Sequence, residues 1–571
     1  MDRGSIGRLL FIAAGVILAF TVLPNLFKGS SHLQPLQNEM IVALNEGKAK
    51  RPPPGKCDLW TNEFHARLST QSAALTHFEL LPAKYRKKGK SIDLSTTPDV
   101  ESRRQLRFDW RNPAAGVKAE DWLVPANLLD YELTASTKES CEFTFKNEQV
   151  ELKQVVRTTA RPYELDVKAT ITNKAARPLR HALTVHTDAW RTEKEQHAGW
   201  FQVSPLITHV ECVSDDGTIT RKRIEDFGAD AFKEFRRSNR SLGDWFEIPS
   251  KPALAAVSNA FFSQALVPVA GPQAPVCQLQ IEERWDARSH RSMKDDPNGG
   301  AMFRARLAYS PRELKPNESE TYQVLSYVGP KERSVLEQAG GGGYRLIDLI
   351  DLGFFSAIAK VLVAFLLKVH SVIPNWGVAI IVLTITARVL LFPLTLPSVK
   401  QMIRMRELKP EMDALNEKFK DDPSAKGLAQ MELWRKHNVN PLKGCLPQMA
   451  SMPVWFALYT TLQTAVELFN IPFLWFPDLS ASDPLFILPF IIGATNYLQQ
   501  RMMPMQGDPM QQKMMLYLMP SIFVVMMLFL PSGLGVYMFT NGVLGILQQQ
   551  AVEWHTKRAL SPKTAIEAPK K

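Results

Sequence analysis

Cysteine is scarce, with five in 571 residues. That count excludes a small fold stapled by a disulfide framework, and no CxxC or Cys/His pair has zinc-ligand spacing. No GxSxG, HExxH, P-loop or Rossmann fingerprint occurs. No catalytic residue, metal or cofactor is therefore expected. From about residue 29 to 353 there is no long apolar run. That stretch is not membrane-embedded, and its polarity hides the rest in the averages. Hydrophobic residues are 45% and charged residues 22% overall, yet long apolar runs crowd the N-terminus and everything after residue 354. Acid is in deficit, giving a net charge of +11. A membrane explains this better than a nucleic acid, because Lys and Arg collect in cytoplasmic loops.

The run Ile6–Phe27 follows Arg3 and has 22 residues, enough to cross a hydrocarbon core of about 30 Å. No A-x-A-like site follows it, so residues 1–28 read as an uncleaved anchor with its N-terminus in the cytoplasm. Residues 29–56 read as a tether ending in Pro52-Pro53-Pro54-Gly55.

Residues 57–339 alternate with period two. Tyr163, Leu165, Val167, Ala169 and Ile171 face one way, and Glu164, Asp166, Lys168, Thr170 and Thr172 the other. Phe303, Ala305, Leu307 and Tyr309 repeat this against Arg304 and Arg306. The pattern predicts strands with one buried and one wet face, in an extracytoplasmic β-sandwich. One helical insert is expected near Ile224–Arg237. His181, His186 and Asp188 fall on one predicted strand; a sugar-binding sandwich could use such residues, but ordinary polar surface is the preferred reading. Cys57, Cys141, Cys212 and Cys277 lie in this oxidisable region, with their pairing left open. Gly340–Gly343 opens a hinge over residues 340–353.

The remainder is apolar. Residues 354–373 carry Ser356, Lys360, Ala364, Lys368 and Ser371 on one narrow helical face, predicting a helix lying along the interface. Residues 374–550 read as a five-helix core. Its spans are expected at Trp376–Leu396, Leu446–Leu468, Leu485–Gln500, Met514–Leu530 and Gly533–Gln550. With the anchor they make a six-helix transmembrane bundle. Lys400–Lys443 holds ten Lys/Arg, while Ile471–Pro484 holds none, so both termini, including the basic tail 551–571, belong in the cytoplasm. Residues 397–443 read as a cytoplasmic helical hairpin. Met405, Leu408 and Met412 form a stripe on its first arm and Trp434 lies on its second, which starts at Asp422-Pro423.

Arg388 lies inside an apolar run, twelve residues from both Trp376 and Lys400, or roughly 18 Å of helix from either. A charge at that depth costs about 2.5–3.5 kcal/mol on insertion scales. No carboxylate in a neighbouring span is an obvious partner, so a wet cavity lined by Thr384, Gln448, Ser451, Asn496, Thr540 and Asn541 is expected. Pairing to backbone carbonyls for structure alone is the alternative. Sixteen of 20 methionines lie at or after Met402. Met502, Met503, Met505 and Met510 supply flexible apolar surface suited to varied partners. A cation in a wet groove beside such surface suits a polypeptide whose polar part crosses while its apolar part enters lipid. A solute transporter would need repeats of broken helices, which are not seen. A tethered sugar enzyme would need paired carboxylates in the β-domain.

Asn375-Trp376-Gly377, Thr384 to Arg388, Phe392-Pro393-Leu394-Thr395, Asn440 to Pro447, Met452 to Leu458, Asp508 to Lys513, Phe529 to Gly533 and Gln548-Gln549-Gln550 resemble, in order, the YidC/Oxa/Alb membrane protein insertases. The large outer domain resembles their Gram-negative form, in which it is a β-supersandwich. The resemblance implies a groove open to cytoplasm and lipid, with its arginine at Arg388 and Thr384 at a groove position. It also implies nascent membrane proteins as clients, work alone or beside the Sec translocon in the inner membrane, and, the tail being short, a weaker contact with the ribosome and signal recognition pathway.

Overall fold

The computed structural model describes residues 53–87, 89–97, 103–110, 122–124, 128–192, 195, 206–224, 245–283, 300–341, 343–419, 422–437, 454, 456–502 and 512–560. The expected anchor, most of the tether, most of the helical insert, Cys445 and the tail beyond residue 560 lie outside them. The chain divides into two units, between Ile350 and Asp351.

The first unit is all-β. A nine-stranded antiparallel sheet has Glu164–Asn173 near its centre, paired with Ser319–Pro330 on one side and Val150–Thr158 on the other. Leu165, Val167, Ala169 and Ile171 are fully buried, while Lys168 between them is exposed. Alternation that buries one sheet face explains this strand.

A five-stranded sheet, ordered Phe246–Ile248, Val276–Glu283, Gly300–Ala308, Thr184–Thr192, Arg107–Asp109, departs from that rule. Phe303, Ala305 and Leu307 are buried as expected, but Arg304 and Arg306 are only 6% and 8% exposed. The polar face is covered, and its charged groups pair with one another. Arg304 donates to Asp188 at 3.2 Å and to Gln280 at 3.1 Å. Arg306 donates to Gln278 at 2.6 Å, and Trp245 lies over its guanidinium at 3.8 Å. Arg107 bonds Asp109, whose carboxylate also meets His186 at 3.2 Å. Burial opposes ionisation of Asp109, yet Arg107 and His186 overcome it and hold its carboxyl at about 2. The reading of His181, His186 and Asp188 as surface on one strand fails for the same reason. All three are buried. His181 ends the separate strand Leu179–His181 and meets the Tyr322 hydroxyl at 2.8 Å.

Four cysteines form two disulfides. Cys57–Cys141 joins the three-stranded sheet that starts at Lys56–Trp60 to the nine-stranded one. Cys212–Cys277 joins the nine-stranded to the five-stranded sheet, across the sandwich.

The second unit is helical: α1 Ser356–Val372, α2 Trp376–Glu407, α3 Lys409–Lys418, α4 Pro423–Lys436, α5 Ile487–Met502, α6 Met519–Met527 and α7 Ser532–Leu560, with residues 456–464 also helical. Asn375 caps α2 by accepting from the Val378 N–H. Asp422 caps α4 through Ser424 and Ala425. The nearly buried Asp483 fixes the start of α5, accepting from the Leu485 and Leu488 N–H groups and the Trp475 indole.

One core gathers Ile380 and Leu383 of α2, Leu458 and Leu462, Leu488 and Ile492 of α5, Met527 of α6 and Leu534 and Tyr537 of α7. Outside it the surface is still apolar: Val389 and Leu390 are 66% and 72% exposed, and Phe490 64%. Water does not tolerate so large an apolar exterior, whereas lipid does. Among the described residues one helix, over Trp376–Pro393, is long and apolar enough to cross a membrane, and Met514–Met527 is a shorter apolar stretch.

The helix that carries the expected span Trp376–Leu396 runs on beyond it. Pro393 and Pro397 sit inside α2, which runs on to Glu407. Each proline deletes one backbone hydrogen bond, and the Thr395 hydroxyl donates to the Phe392 carbonyl between them. The break comes at Leu408, where Lys409-Pro410 begins α3.

Candidate functional site

The centre of the helical unit is Arg388 on α2. α2 packs along α7, and a glycine on α7 makes room for the guanidinium. A Cβ at Gly545 would stand 2.9 Å from Arg388 Nη2 and 2.9 Å from Gln499 Nε2. Because that space is open, Arg388 reaches the α7 backbone. Its Nε donates to Asn541 Oδ1 at 2.7 Å, Nη2 to the Asn541 carbonyl at 2.8 Å, and Nη1 to Gln548 Oε1 at 3.2 Å. The Gln548 amide in turn donates to the Thr395 hydroxyl at 3.0 Å. Among the described residues no carboxylate pairs with Arg388. The arginine is half-buried, so a full positive charge is held at depth by neutral groups alone.

The expected site residues are placed unevenly. Arg388 and Asn541 meet directly. Thr384, one turn before Arg388, is 1% exposed and donates its hydroxyl to the Ile380 carbonyl. Thr540 likewise donates to Val536 of its own helix. Both hydroxyls are thus engaged by their own helices. Asn496 is half-buried on α5. Gln448, Ser451, Met503, Met505 and Met510 lie outside the described residues. Met502 ends α5, and its carbonyl accepts from Gln549 of α7.

The hairpin residues pack inward rather than present a surface. Met405, Leu408 and Met412 are buried, and the Trp434 indole donates to the Met412 sulfur at 3.4 Å, stitching α4 to α3. On α4, Leu428 and Met431 are 65% and 55% exposed, and Leu433 is buried.

Gln548, Gln499, Gly545 and Thr395 surround the guanidinium beyond the expected lining. Spacing could have found the first: Asn541, Gly545 and Gln548 fall at i, i+4 and i+7, on one helix face.

An all-β unit followed by an apolar helical unit that shelters a cation is the layout of a membrane protein handling polar groups at depth. The family profile described as YidC periplasmic domain matches residues 57–365, and that of the 60Kd inner membrane protein matches residues 368–559. The membrane protein insertase YidC of Anaeromyxobacter sp. (strain K) is 34% identical over 504 residues, 87% of this chain and 85% of that protein. That of Geotalea daltonii is 32% identical over 495 residues, 86% and 84% of the two. The crystal structure of an active YidC insertase with its first transmembrane domain resolved aligns over 96% of this chain and 99% of that chain, at 16% identity and a TM-score of 0.36. The chain belongs to the YidC family of membrane protein insertases. Its activity is the insertion of proteins into a membrane, and its all-β unit is the periplasmic domain.

Proposed function

We propose that Arg388 is the cation of a hydrophilic groove, open to cytoplasm and lipid, that receives an arriving polypeptide. Thr384, Gln448, Ser451, Asn496, Thr540 and Asn541 belong to its lining or its support. Met502, Met503, Met505 and Met510 offer the adaptable apolar surface beside it. The observation that carries this reading is the neutral setting of Arg388. A charge buried with a carboxylate would be spent on structure, whereas this one stays free to attract an acidic segment of a client. The client's polar end then passes, and its apolar helix leaves sideways into lipid.

Six spans, with the N-terminal anchor among them, place both termini in the cytoplasm of an inner membrane and let α1 lie along the interface. Several of the spans are short for a bilayer, which favours local thinning and lowers the barrier for polar groups. No covalent chemistry is required. Hydrophobic partitioning and the membrane potential, worth about 2.3 kcal/mol per charge per 100 mV, supply the drive. Clients arrive unaided or beside the Sec translocon, and contact with the ribosome and signal recognition pathway is weaker.

A photo-crosslinker at position 388, present while a membrane protein is synthesised, is expected to capture the nascent chain. Arg388→Ala is expected to impair insertion of some clients. A probe that captures no nascent chain, together with unchanged insertion of every client tested, would overturn the reading.

A further inference from the structure

We propose that residues 471–486, the connection leading into α5, form a lipid-seated wedge. The wedge sets its apolar rim into the acyl–headgroup boundary of the leaflet at the start of α2, instead of lying in water. The inference rests on the chain's membrane setting and not on the groove.

By composition the segment is a loop, with Pro472, Pro477 and Pro484, four polar residues and no Lys or Arg. A loop in water turns its polar side chains outward. Here the order is reversed. From residue 471 to 487 every exposed side chain is apolar: Leu474, Trp475, Leu485, Phe486 and Ile487, with Ala481 and the three prolines. Leu474 is 74% exposed and Leu485 58%, whereas Asp483 is 3% exposed. Asp478, Ser480 and Ser482 are half-buried. Water does not favour such a contiguous apolar rim, while the lipid interface does.

The polar residues turn inward to serve the backbone. Irregular backbone can approach lipid only where its polar groups are met inside the protein. The Asp478 carboxylate accepts from the Asn470 and Ser480 N–H groups at 3.0 and 2.8 Å. Asp483 accepts from those of Leu485 and Leu488. Phe473 and Phe476 exchange N–H···O bonds at 2.9 Å, and the Leu479 and Ala481 carbonyls accept from Gly533 and Ser532 at the start of α7. The Trp475 indole also donates to Asp483, so its ring needs no water. Leu474 and Phe486 hold φ of +53° and +57°, a region that glycine and asparagine take most readily. A turn facing water would use those residues; this one places a large apolar side chain at each corner.

The inner side of the wedge is locked. Phe476 and Leu479 are buried in the helical core, with Phe473 packed against it. A Cβ at Gly377 would collide with the Phe473 ring, so the loop is keyed to the N-terminal end of α2, the end away from the hairpin. The rim continues into the 64%-exposed Phe490 of α5, and no cation interrupts it. Acyl chains, rather than a charged partner, match that surface. A wedge seated there fixes where α2 enters the bilayer. Arg388 follows Gly377 by eleven residues, roughly 16 Å of helix, so its depth is set from this anchor.

The test uses the full chain in liposomes of phosphatidylethanolamine and phosphatidylglycerol, with a nitroxide amino acid at position 474 or 486. Phe490 of α5 and the exposed Lys168 of the β-unit are the reference positions. Collisions with oxygen, which concentrates in lipid, are compared with collisions with a water-soluble nickel chelate. Labels at 474 and 486 are expected to match the one at 490, with oxygen favoured and the chelate excluded. Chelate collisions as frequent as at 168 would place the loop in water and overturn the proposal. Shielding from both reagents would mean that a second copy of the chain covers the rim, and would overturn lipid as its occupant.

Discussion

A single missing methyl group sets the site's geometry. At Gly545 an alanine Cβ would meet Arg388 Nη2 and Gln499 Nε2 at 2.9 Å each. Both side-chain ends must then shift, and a guanidinium that withdraws from the Asn541 carbonyl loses a charge-assisted bond worth about 1.5–3 kcal/mol. Gly545→Ala is expected to reduce about tenfold the insertion of those clients that Arg388→Ala impairs, read by protease protection, at unchanged levels of chain in the membrane, because alanine itself favours a helix. In the β-unit the telling residue is Glu164. Burial pushes its carboxyl up to about 7, against the pull of Arg161 at 3.7 Å. The folded value lies above the unfolded one, so the protonated form is favoured by folding. That contribution is fully present below the unfolded value near 4.5. It is lost as pH rises through about 7. With each unit worth about 1.4 kcal/mol, the β-unit of the full chain should resist pulse proteolysis better at pH 5 than at pH 8. Glu164→Gln should flatten that slope, and an unaltered slope would show that another group carries it.

At the scale of the element, what the sequence disclosed depended on whether partners were local. Period two identified Glu164–Asn173 because its polar side meets water, as Lys168 does. The same period misjudged Gly300–Ala308, because Arg304 and Arg306 are satisfied by residues at 188, 278 and 280, a pairing that no local pattern reveals. The Asp422-Pro423 start of α4 was legible because a cap is local chemistry. The end of α2 was not, since two prolines stop a helix in water but are tolerated in apolar surroundings. Arg388 was legible from depth alone and Asn541, 153 residues away, was expected beside it, whereas Gln548, 160 residues away, was not. The disulfides obey the same division: four cysteines announced the possibility and only the fold chose Cys212 with Cys277. That bridge closes a separation of 65 residues across the two sheets. Replacing both by alanine is expected to cost about 2–4 kcal/mol, read as a lower denaturant midpoint of the β-unit by pulse proteolysis in the full chain.

For the whole molecule, the two units divide the labour in a way the packing makes explicit. Every described residue bonded to Arg388 belongs to the second unit: Asn541 and Gln548, with Thr395 behind them. The core of that unit draws on residues 362–539, all within the second unit. The first unit closes its own sandwich with its own disulfides. Removing residues 56–328 therefore takes away no group in the guanidinium's clamp and opens no cavity in the helical core. The chain so shortened, with residue 55 joined to the segment before α1, should still insert clients at a rate within a few-fold of the parent. Its Arg388→Ala variant should lose the same clients that the full-length variant loses. Protease protection of a client tail in cells depleted of the parent protein measures both. If the shortened chain reaches the membrane at normal levels yet inserts nothing, the β-unit is part of the transport path, and the assignment of the chemistry to α2 and α7 alone is wrong.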